Sequence, residues 1–484
     1  MLFNSIDFSF FLLSVFFLYW FVSNKSYKTQ NILLLVASYF FYACWDWRFL
    51  FLLVFSTFLD YFSGLKMSKA KNDAYKKVWF WLSVSINLGF LGVFKYYNFF
   101  AQSFSDAISN FGLQINPWTL KVILPVGISF YTFHGLSYLI DIYKNKIKPE
   151  NDFIAYSVFV SFFPLLVAGP IERATHLLPQ IKKERKFDYA KSVDGLRQIL
   201  WGLFKKIVIA DRCADYTNII FNNSAEYSGS TLLLGAVFFS FQIYGDFSGY
   251  SDIALGTARL FGIDLLRNFA FPYFSRDIAE FWRRWHISLS SWFKDYLYIP
   301  LGGSKVKMWR KISNTFIIFL VSGFWHGASW TFIFWGFLNA LYIMPSIVFN
   351  TNRNNLTIVA EGKYFPTIKE FLQMGLTFFL TTVAWIFFRA ENLTSAFGFI
   401  FNIFNSSFFK IPAIKNDYPI MIFAPCALII MFMSVEWIGR HGEYAIQNMD
   451  LIKHKKLRWS IYILLALAIL LSQGKVQNFI YFQF

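Results

Sequence analysis

Six histidines occur in the 484 residues, and one of them stands where ionisable side chains are rare. His326 lies in the run NTFIIFLVSGFWHGASWTFIFWGF, far from any loop. An ionisable group in an apolar segment long enough to cross a membrane is costly to bury, and is a functional candidate by default. On a continuous helix its neighbours three and four residues away are Ser322, Gly323, Ser329 and Trp330. Three of these are small, which leaves room beside the imidazole for a hydroxyl and an acyl group to meet. A neutral imidazole removes the proton from a hydroxyl as it attacks a thioester or ester carbonyl. The competing assignment is a histidine hydrogen-bonded between helices, with Gly323 and Gly327 as a close-packing face.

His286 sits in FWRRWHISLS, flanked by Trp282, Arg283, Arg284 and Trp285. Taken alone it reads as an interfacial histidine beside basic anchors. Arg283 and Arg284 have two readings of equal weight. They hold the phosphates of a nucleotide-bearing donor through paired guanidinium groups, or they anchor the chain at the membrane surface. Asp246 and Asp252, in FSFQIYGDFSGYSDIALGTARLFGI, fit structural hydrogen bonds or the orientation of a histidine. His134 reads as a packed or capping group near Pro125 and Gly127, and His176, after GPIER, is assigned no role. The sequence has no G-x-S-x-G elbow, Walker loop, dinucleotide fingerprint or H-E-x-x-H pair. Cys44, Cys213 and Cys426 are too scattered for a disulfide framework or a zinc site, and no metal centre is expected.

The elements that carry these residues belong in a bilayer. The chain is 56% hydrophobic, 22% aromatic and only 15% charged, where a soluble domain carries about 25% charged residues. Apolar runs of spanning length, roughly 20 residues for about 30 Å of hydrocarbon, recur from end to end. Candidate spans lie near 6–23, 30–45, 48–65, 78–100, 118–142, 152–170, 195–211, 229–250, 313–345, 370–389, 392–405, 419–438 and 459–473, with 313–345 long enough for a broken pair. The expected fold is therefore all-α and polytopic, a single membrane-embedded domain over residues 1–484. The N-terminal run lacks the features of a removable signal peptide and reads as a retained first span.

A net charge of +17 suggests nucleic-acid binding in a soluble protein. Here the basic residues cluster in short loops between apolar runs, as cytoplasmic loops do, and nucleic acid is excluded as a partner. The segment KMSKAKNDAYKK (66–77) is expected in the cytoplasm, as is LIKHKKLR near the other end, which puts the N-terminus and the tail QGKVQNFIYFQF outside. Between Gly262 and Asn314 the chain is too charged to span and too aromatic for an ordinary loop, so re-entrant or interfacial helices are expected there. No internal repeat is evident, although a transporter built from inverted repeats would show one.

The segments LPVGISFYTFHGLSYLIDIY, FFPLLVAGPIERA, FQIYGDFSGYSDIALG, SRDIAEFWRRWHISLSSWFKDYLYIPLGG and VSGFWHGASWTFIFWG together resemble the membrane-bound O-acyltransferase family. The resemblance is strongest from Leu124 to Leu338, and within the family it is to the bacterial branch of alginate and peptidoglycan O-acetyltransferase membrane subunits. It implies a ring of about a dozen tilted helices, with funnels on both faces meeting at a thin centre. The family's near-invariant histidine maps onto His326 and its second motif residue onto His286. The resemblance further implies acetyl-coenzyme A as a cytoplasmic donor substrate, with no permanently bound cofactor. It also implies a periplasmic partner of the SGNH esterase or transferase type and an envelope polysaccharide as acceptor.

Related systems carry a short C-terminal aromatic motif with a tyrosine thought to receive the acyl group, which makes Tyr481 in FIYFQF the relay candidate. The alternative for Tyr481 is an interfacial aromatic belt. Two other functions remain open at this point: a lipid or protein acyltransferase of the same fold, and a transporter or flippase of envelope precursors.

Overall fold

The structure is a computed structural model. It describes residues 1–484 except 24, 113–115, 121–122, 168, 415–421, 473, 475–476, 478 and 481–484. Among the described residues every regular element is helical, and the chain divides into two compact units.

The first unit comprises Met1–Ser192 and Thr257–Leu266. Its longest element, Tyr27–Ser68, is interrupted at Asp46, whose backbone is extended (φ −158°, ψ 110°). The Asp46 carboxylate accepts the backbone N–H of Arg48 at 3.0 Å and its guanidinium at 2.6 Å. Uninterrupted, 42 residues would reach about 63 Å, twice the hydrocarbon thickness, so the break at Asp46 yields the two expected spans. The expected span 118–142 is helical only over Ile128–Tyr143, because Gly127 before it adopts φ 73°. A Cβ there would overlap the Leu166 carbonyl. The expected span 152–170 ends at Ser161, and Pro164 opens a separate turn, Phe163–Leu166. Tyr19 and Trp20 tie the N-terminal helix to Thr257–Leu266 by donating to the carbonyls of Phe261 (3.1 Å) and Leu260 (2.9 Å).

The second unit comprises Val193–Gly256 and Arg267–Phe484. Most of the long Gly229–Leu260 helix lies in it, lined with side chains that leave almost nothing exposed. Its polar groups find partners on neighbouring helices. Ser240 bonds Thr382 of Ile368–Arg389 at 3.1 Å, and Tyr244 donates to Glu436 of Phe423–Ile438 at 2.7 Å. The outer helices show the opposite pattern. Phe371, Leu376, Ile430 and Leu464 are each at least 60% exposed, a surface that suits lipid and not water.

The expected broken pair at 313–345 is Met308–His326 and Trp330–Val348. The two pack backbone against backbone: a Cβ at Gly323 would overlap the carbonyl oxygen of Phe332, and one at Gly336 that of Phe319. The aromatic, charged stretch before them forms two short helices, Ile278–Arg284 and Ile287–Phe293. At seven residues each they rise about 10 Å and cannot cross a bilayer.

Among the described residues five helices are long and apolar enough to span: Tyr27–Ser68, Asp73–Ser109, Gly229–Leu260, Trp330–Val348 and Ile368–Arg389. Shorter apolar helices cover Ile6–Val22, Leu393–Ile403 and Phe423–Ile438. Among the described residues every candidate span read from the sequence contains a helix, although 118–142 and 152–170 are helical over only part of their length.

Candidate active site

His326 is not mid-helix, as the apolar run suggested, but the last residue of Met308–His326. Gly327 after it is extended (φ −159°, ψ 150°), and the next helix starts where Ser329 caps the N–H of Thr331 at 3.3 Å. Ser329 and Trp330 therefore begin a second helix instead of continuing the face of His326. The ring stays inside the protein, 4% exposed. Its Nδ1 lies 2.7 Å from the carbonyl oxygen of Ser322. A carbonyl only accepts, so this contact assigns the proton to Nδ1 and leaves the lone pair on Nε2, as a general base requires. Aromatic rings fix the orientation: Trp325 at 4.8 Å, Trp335 at 4.9 Å and Phe388 at 5.6 Å between centroids. Trp335 in turn stacks on Trp385 (5.7 Å, 19°), which touches Trp285 at 5.0 Å.

His286 caps Ile287–Phe293 in the left-handed region (φ 44°, ψ 54°), where a residue other than glycine is uncommon and strain often accompanies function. Asn268 holds it there. The Asn268 carbonyl accepts the N–H of Ile287 at 2.9 Å. Its side-chain oxygen lies 3.0 Å from His286 Nδ1 and accepts the Ser288 hydroxyl at 2.8 Å. The hydroxyl and the backbone N–H of Ser288 both point at that atom, so it is the amide oxygen and His286 Nδ1 carries the proton. His286 Nε2 is buried and has no hydrogen-bond partner among the described residues. The ring packs on Phe247 at 4.7 Å and on Trp325 at 6.2 Å.

A cavity of about 390 Å³ opens beside this pair, walled by Trp282, Arg283, Ile287, Lys294, Phe319 and Ser322 among others. It is lined by Ile287, which follows His286 in the chain, and by Ser322, whose carbonyl accepts from His326 Nδ1. Arg283 borders it while donating to the carbonyls of Asn352 and Asn355, each at 2.7 Å. Arg284 is spent differently, on Glu280 at 2.7 Å, a buried carboxylate shared with Arg276 at 3.0 Å. The two adjacent arginines are thus unequal, and Arg283 alone lines the cavity.

Tyr481 lies outside the described residues. Just before it, the Ile480 N–H donates to Asp246 at 2.7 Å, and the Phe479 ring packs on Tyr250 at 4.2 Å and on Phe247 at 6.2 Å. Phe247 is the ring that supports His286. Asp246 also pairs with Lys206 at 2.8 Å, and Asp252 with Lys205 at 2.6 Å. Asn268, Lys205 and Lys206 are absent from the sequence-derived site. A signal for the lysines existed, since KK in LFKKIVIA is as anomalous in an apolar run as a histidine. Asn268 is an ordinary amide in a polar stretch and gave none.

The remaining two histidines singled out from the sequence belong to the first unit. His134 Nε2 accepts the Glu172 N–H at 3.1 Å, with Nδ1 3.4 Å from the Val160 carbonyl, a packed position as expected. His176 pairs with Glu172 at 2.8 Å.

A model of the membrane-bound O-acyltransferase family matches residues 143–378, a range that contains Asn268, His286 and His326. The chain is 38% identical over 425 residues to the peptidoglycan O-acetyltransferase of Helicobacter pylori, covering 82% of this chain and 78% of that protein. It is 38% identical over 399 residues to a protein of Pseudomonas aeruginosa named probable alginate O-acetylase, covering 82% and 73%. Similarity to the teichoic acid D-alanyltransferase of Bacillus subtilis is 32% over 227 residues, 45% of this chain and 57% of that one. With an all-helical multi-pass architecture, two oriented imidazoles beside one cavity, and relatives aligned over most of their length, the chain belongs to the membrane-bound O-acyltransferase family and is a membrane acyltransferase.

Proposed function

We propose that the protein transfers acetyl groups from a cytoplasmic donor, acetyl-coenzyme A, to hydroxyls of a cell-envelope polysaccharide such as peptidoglycan or an alginate-like polymer. The observation that carries this reading is His326, its Nδ1 bound to a carbonyl and its ring one helical turn from a cavity wall. The names of the relatives support the acceptor class. The geometry of the cavity supports the side of entry. The cavity wall includes Arg283 and Lys294, with Thr315, Phe319 and Ser322 of Met308–His326 and Ile343 and Ile347 of Trp330–Val348. Lys305, Lys307, Arg310 and Lys311 occur around the start of the first of these helices and Arg353 just past the second, basic residues of the kind that cytoplasmic loops carry.

In this mechanism a hydroxyl oxygen attacks the thioester carbonyl, the C–S bond breaks, and the hydroxyl proton passes through His326 Nε2 to the departing thiolate. His286 Nε2 offers a second acceptor for the incoming hydroxyl or for an amide N–H of the donor. The attacking hydroxyl is that of Tyr481. The acetyl-tyrosine ester then gives its acetyl group to a sugar hydroxyl, with regeneration of the phenol, through a periplasmic partner of the SGNH type. The relay divides one long transfer into two short ones.

Proteoliposomes loaded with acetyl-labelled donor test the proposal. His326→Ala is expected to lower ester formation about a hundredfold or more at unchanged protein level. A loss of only a few-fold overturns His326 as the base, and intact ester formation with impaired precursor movement would favour a transporter. Acetyl on lipid or protein in place of glycan would move the acceptor to another class.

A further inference from the structure

Two segments of the first unit are clamped together by a buried arginine. Arg185 donates to the Tyr27 carbonyl at 3.3 Å, to Asn31 Oδ1 at 2.6 Å and to Gln30 Oε1 at 3.3 Å. The turn that precedes Tyr27–Ser68 and the stretch that follows Ala174–Ile181 are thereby held side by side. Lys25 and Lys28 flank Tyr27, and Lys183 and Lys186 flank Arg185, so each stands one or two positions from the clamp. All four are exposed. Other lysines nearby are spent, Lys182 on Glu150 at 3.0 Å and Lys191 on Asp264 at 2.6 Å, whereas these four have no ion pair among the described residues. Residues 21–28 and 182–189 together hold six Lys or Arg against only Glu184 and Asp188. Cations held this close repel one another, and an anion placed among them relieves the repulsion.

The cations also have an apolar rim. Phe17, Phe21, Phe187 and Tyr189 are exposed, and the Phe187 ring packs on Trp20 at 5.5 Å and on Phe16 at 6.2 Å. Exposed rings beside lysines suit the level at which acyl chains give way to headgroups. Residues 144–152 tie this cluster to the basic 66–77 segment, since Lys76 donates to Asn145 at 2.7 Å while Lys182 pairs with Glu150. Both basic segments therefore lie on one face of the unit. We propose that Lys25, Lys28, Lys183 and Lys186 form a binding site for the headgroup of an anionic phospholipid, with the aromatic rim against its acyl chains. The Arg185 clamp is what distinguishes this site from a merely basic loop, because it makes two distant segments present their charge together.

Lys25→Gln, Lys28→Gln, Lys183→Gln and Lys186→Gln are combined in one full-length variant, which removes charge at exposed positions and spares the clamp. A control carries Lys66→Gln, Lys69→Gln, Lys71→Gln and Lys77→Gln, the same loss of charge on the neighbouring segment. Native mass spectrometry of the detergent-solubilised proteins, titrated with phosphatidylglycerol or phosphatidylcholine, gives the dissociation constant of the first bound lipid. The parent is expected to hold phosphatidylglycerol roughly tenfold or more tightly than phosphatidylcholine. The first variant should lose that preference and the control should keep it. Equal affinity of the parent for the two lipids overturns the site. An equal loss in both variants overturns it too, because the preference would then follow total charge and not the clamped cluster. A raised KM for acetyl-coenzyme A in the first variant, with its lipid preference intact, would give the cluster to a soluble anion and remove the lipid.

Discussion

His286 and His326 pack against the same indole, that of Trp325, with ring centroids 6.2 and 4.8 Å away. Their centres are therefore separated by no more than the sum of those distances, although forty positions divide them in the sequence. Each ring is pinned through Nδ1 by an oxygen, so each keeps its lone pair on Nε2.

Asn268 sets the tautomer and direction of His286, and its removal should act on rate more than on binding. Asn268→Ala is expected to lower kcat by about a hundredfold, the penalty of a catalytic group displaced by roughly 1 Å, with KM changed little. Asn268→Asp keeps an acceptor oxygen and should retain more activity. Steady-state kinetics in proteoliposomes distinguish these outcomes, and equal rates for Asn268→Ala and the parent would remove Asn268 from the site.

Because the backbones of Met308–His326 and Trp330–Val348 touch at Gly323 and Gly336, even one methyl group must push them apart. Gly323→Ala should destabilise the protein by about 1–3 kcal/mol and lower activity more than stability alone explains, since the displaced helix carries His326. Thermal unfolding in detergent, read beside activity, checks both effects.

Arg283 and Arg284 should separate kinetically. Arg283→Ala opens the cavity wall and is expected to raise the KM for acetyl-coenzyme A several-fold with kcat nearly unchanged, the pattern of lost uniform binding. Arg284→Ala leaves the buried Glu280 with fewer partners and should lower the yield of folded protein, at a cost of about 3 kcal/mol. A KM effect confined to Arg284→Ala would reverse these assignments.

His176 provides a pH-dependent contribution in the first unit. Its hydrogen bond to the buried Glu172 carboxylate raises its pKa above the usual value of 6.5, against a smaller opposing effect of burial. The folded state therefore binds this proton more tightly than the unfolded state. The stabilisation is complete below the unfolded value and vanishes as pH climbs through the raised one. His176→Gln should cost roughly 1 kcal/mol or less at pH 5.5, as expected for a partly exposed pair, and less again at pH 8.5. A larger loss at the higher pH would contradict the pairing.

Much of this was legible in the sequence because bilayer solvent writes in long words. Among the described residues each apolar run contains a helix, and a histidine inside one such run announced itself. What failed was local. The break after His326 is made by Gly327, and the sequence offers the same small residues for a tight helix–helix contact as for a helix end. The break at Asp46 falls between the expected spans 30–45 and 48–65, whereas the stop at Ser161 lies inside the expected span 152–170. The pairing of Asn268 with His286 and of Lys206 with Asp246 depends on residues distant in the chain, and one sequence holds no record of such proximity.

The indoles around the histidines have a further consequence. Trp285, Trp385 and Trp335 form a chain of contacts at 5.0 and 5.7 Å, with Trp335 against His326 and Trp325 against both imidazoles. Chromophores this close share excitation, and a protonated imidazole quenches indole emission on contact. The molecule thus carries its own optical reporter beside the two imidazoles, and arrival of a ligand or of a charge on His326 should be readable as emitted light without any attached label.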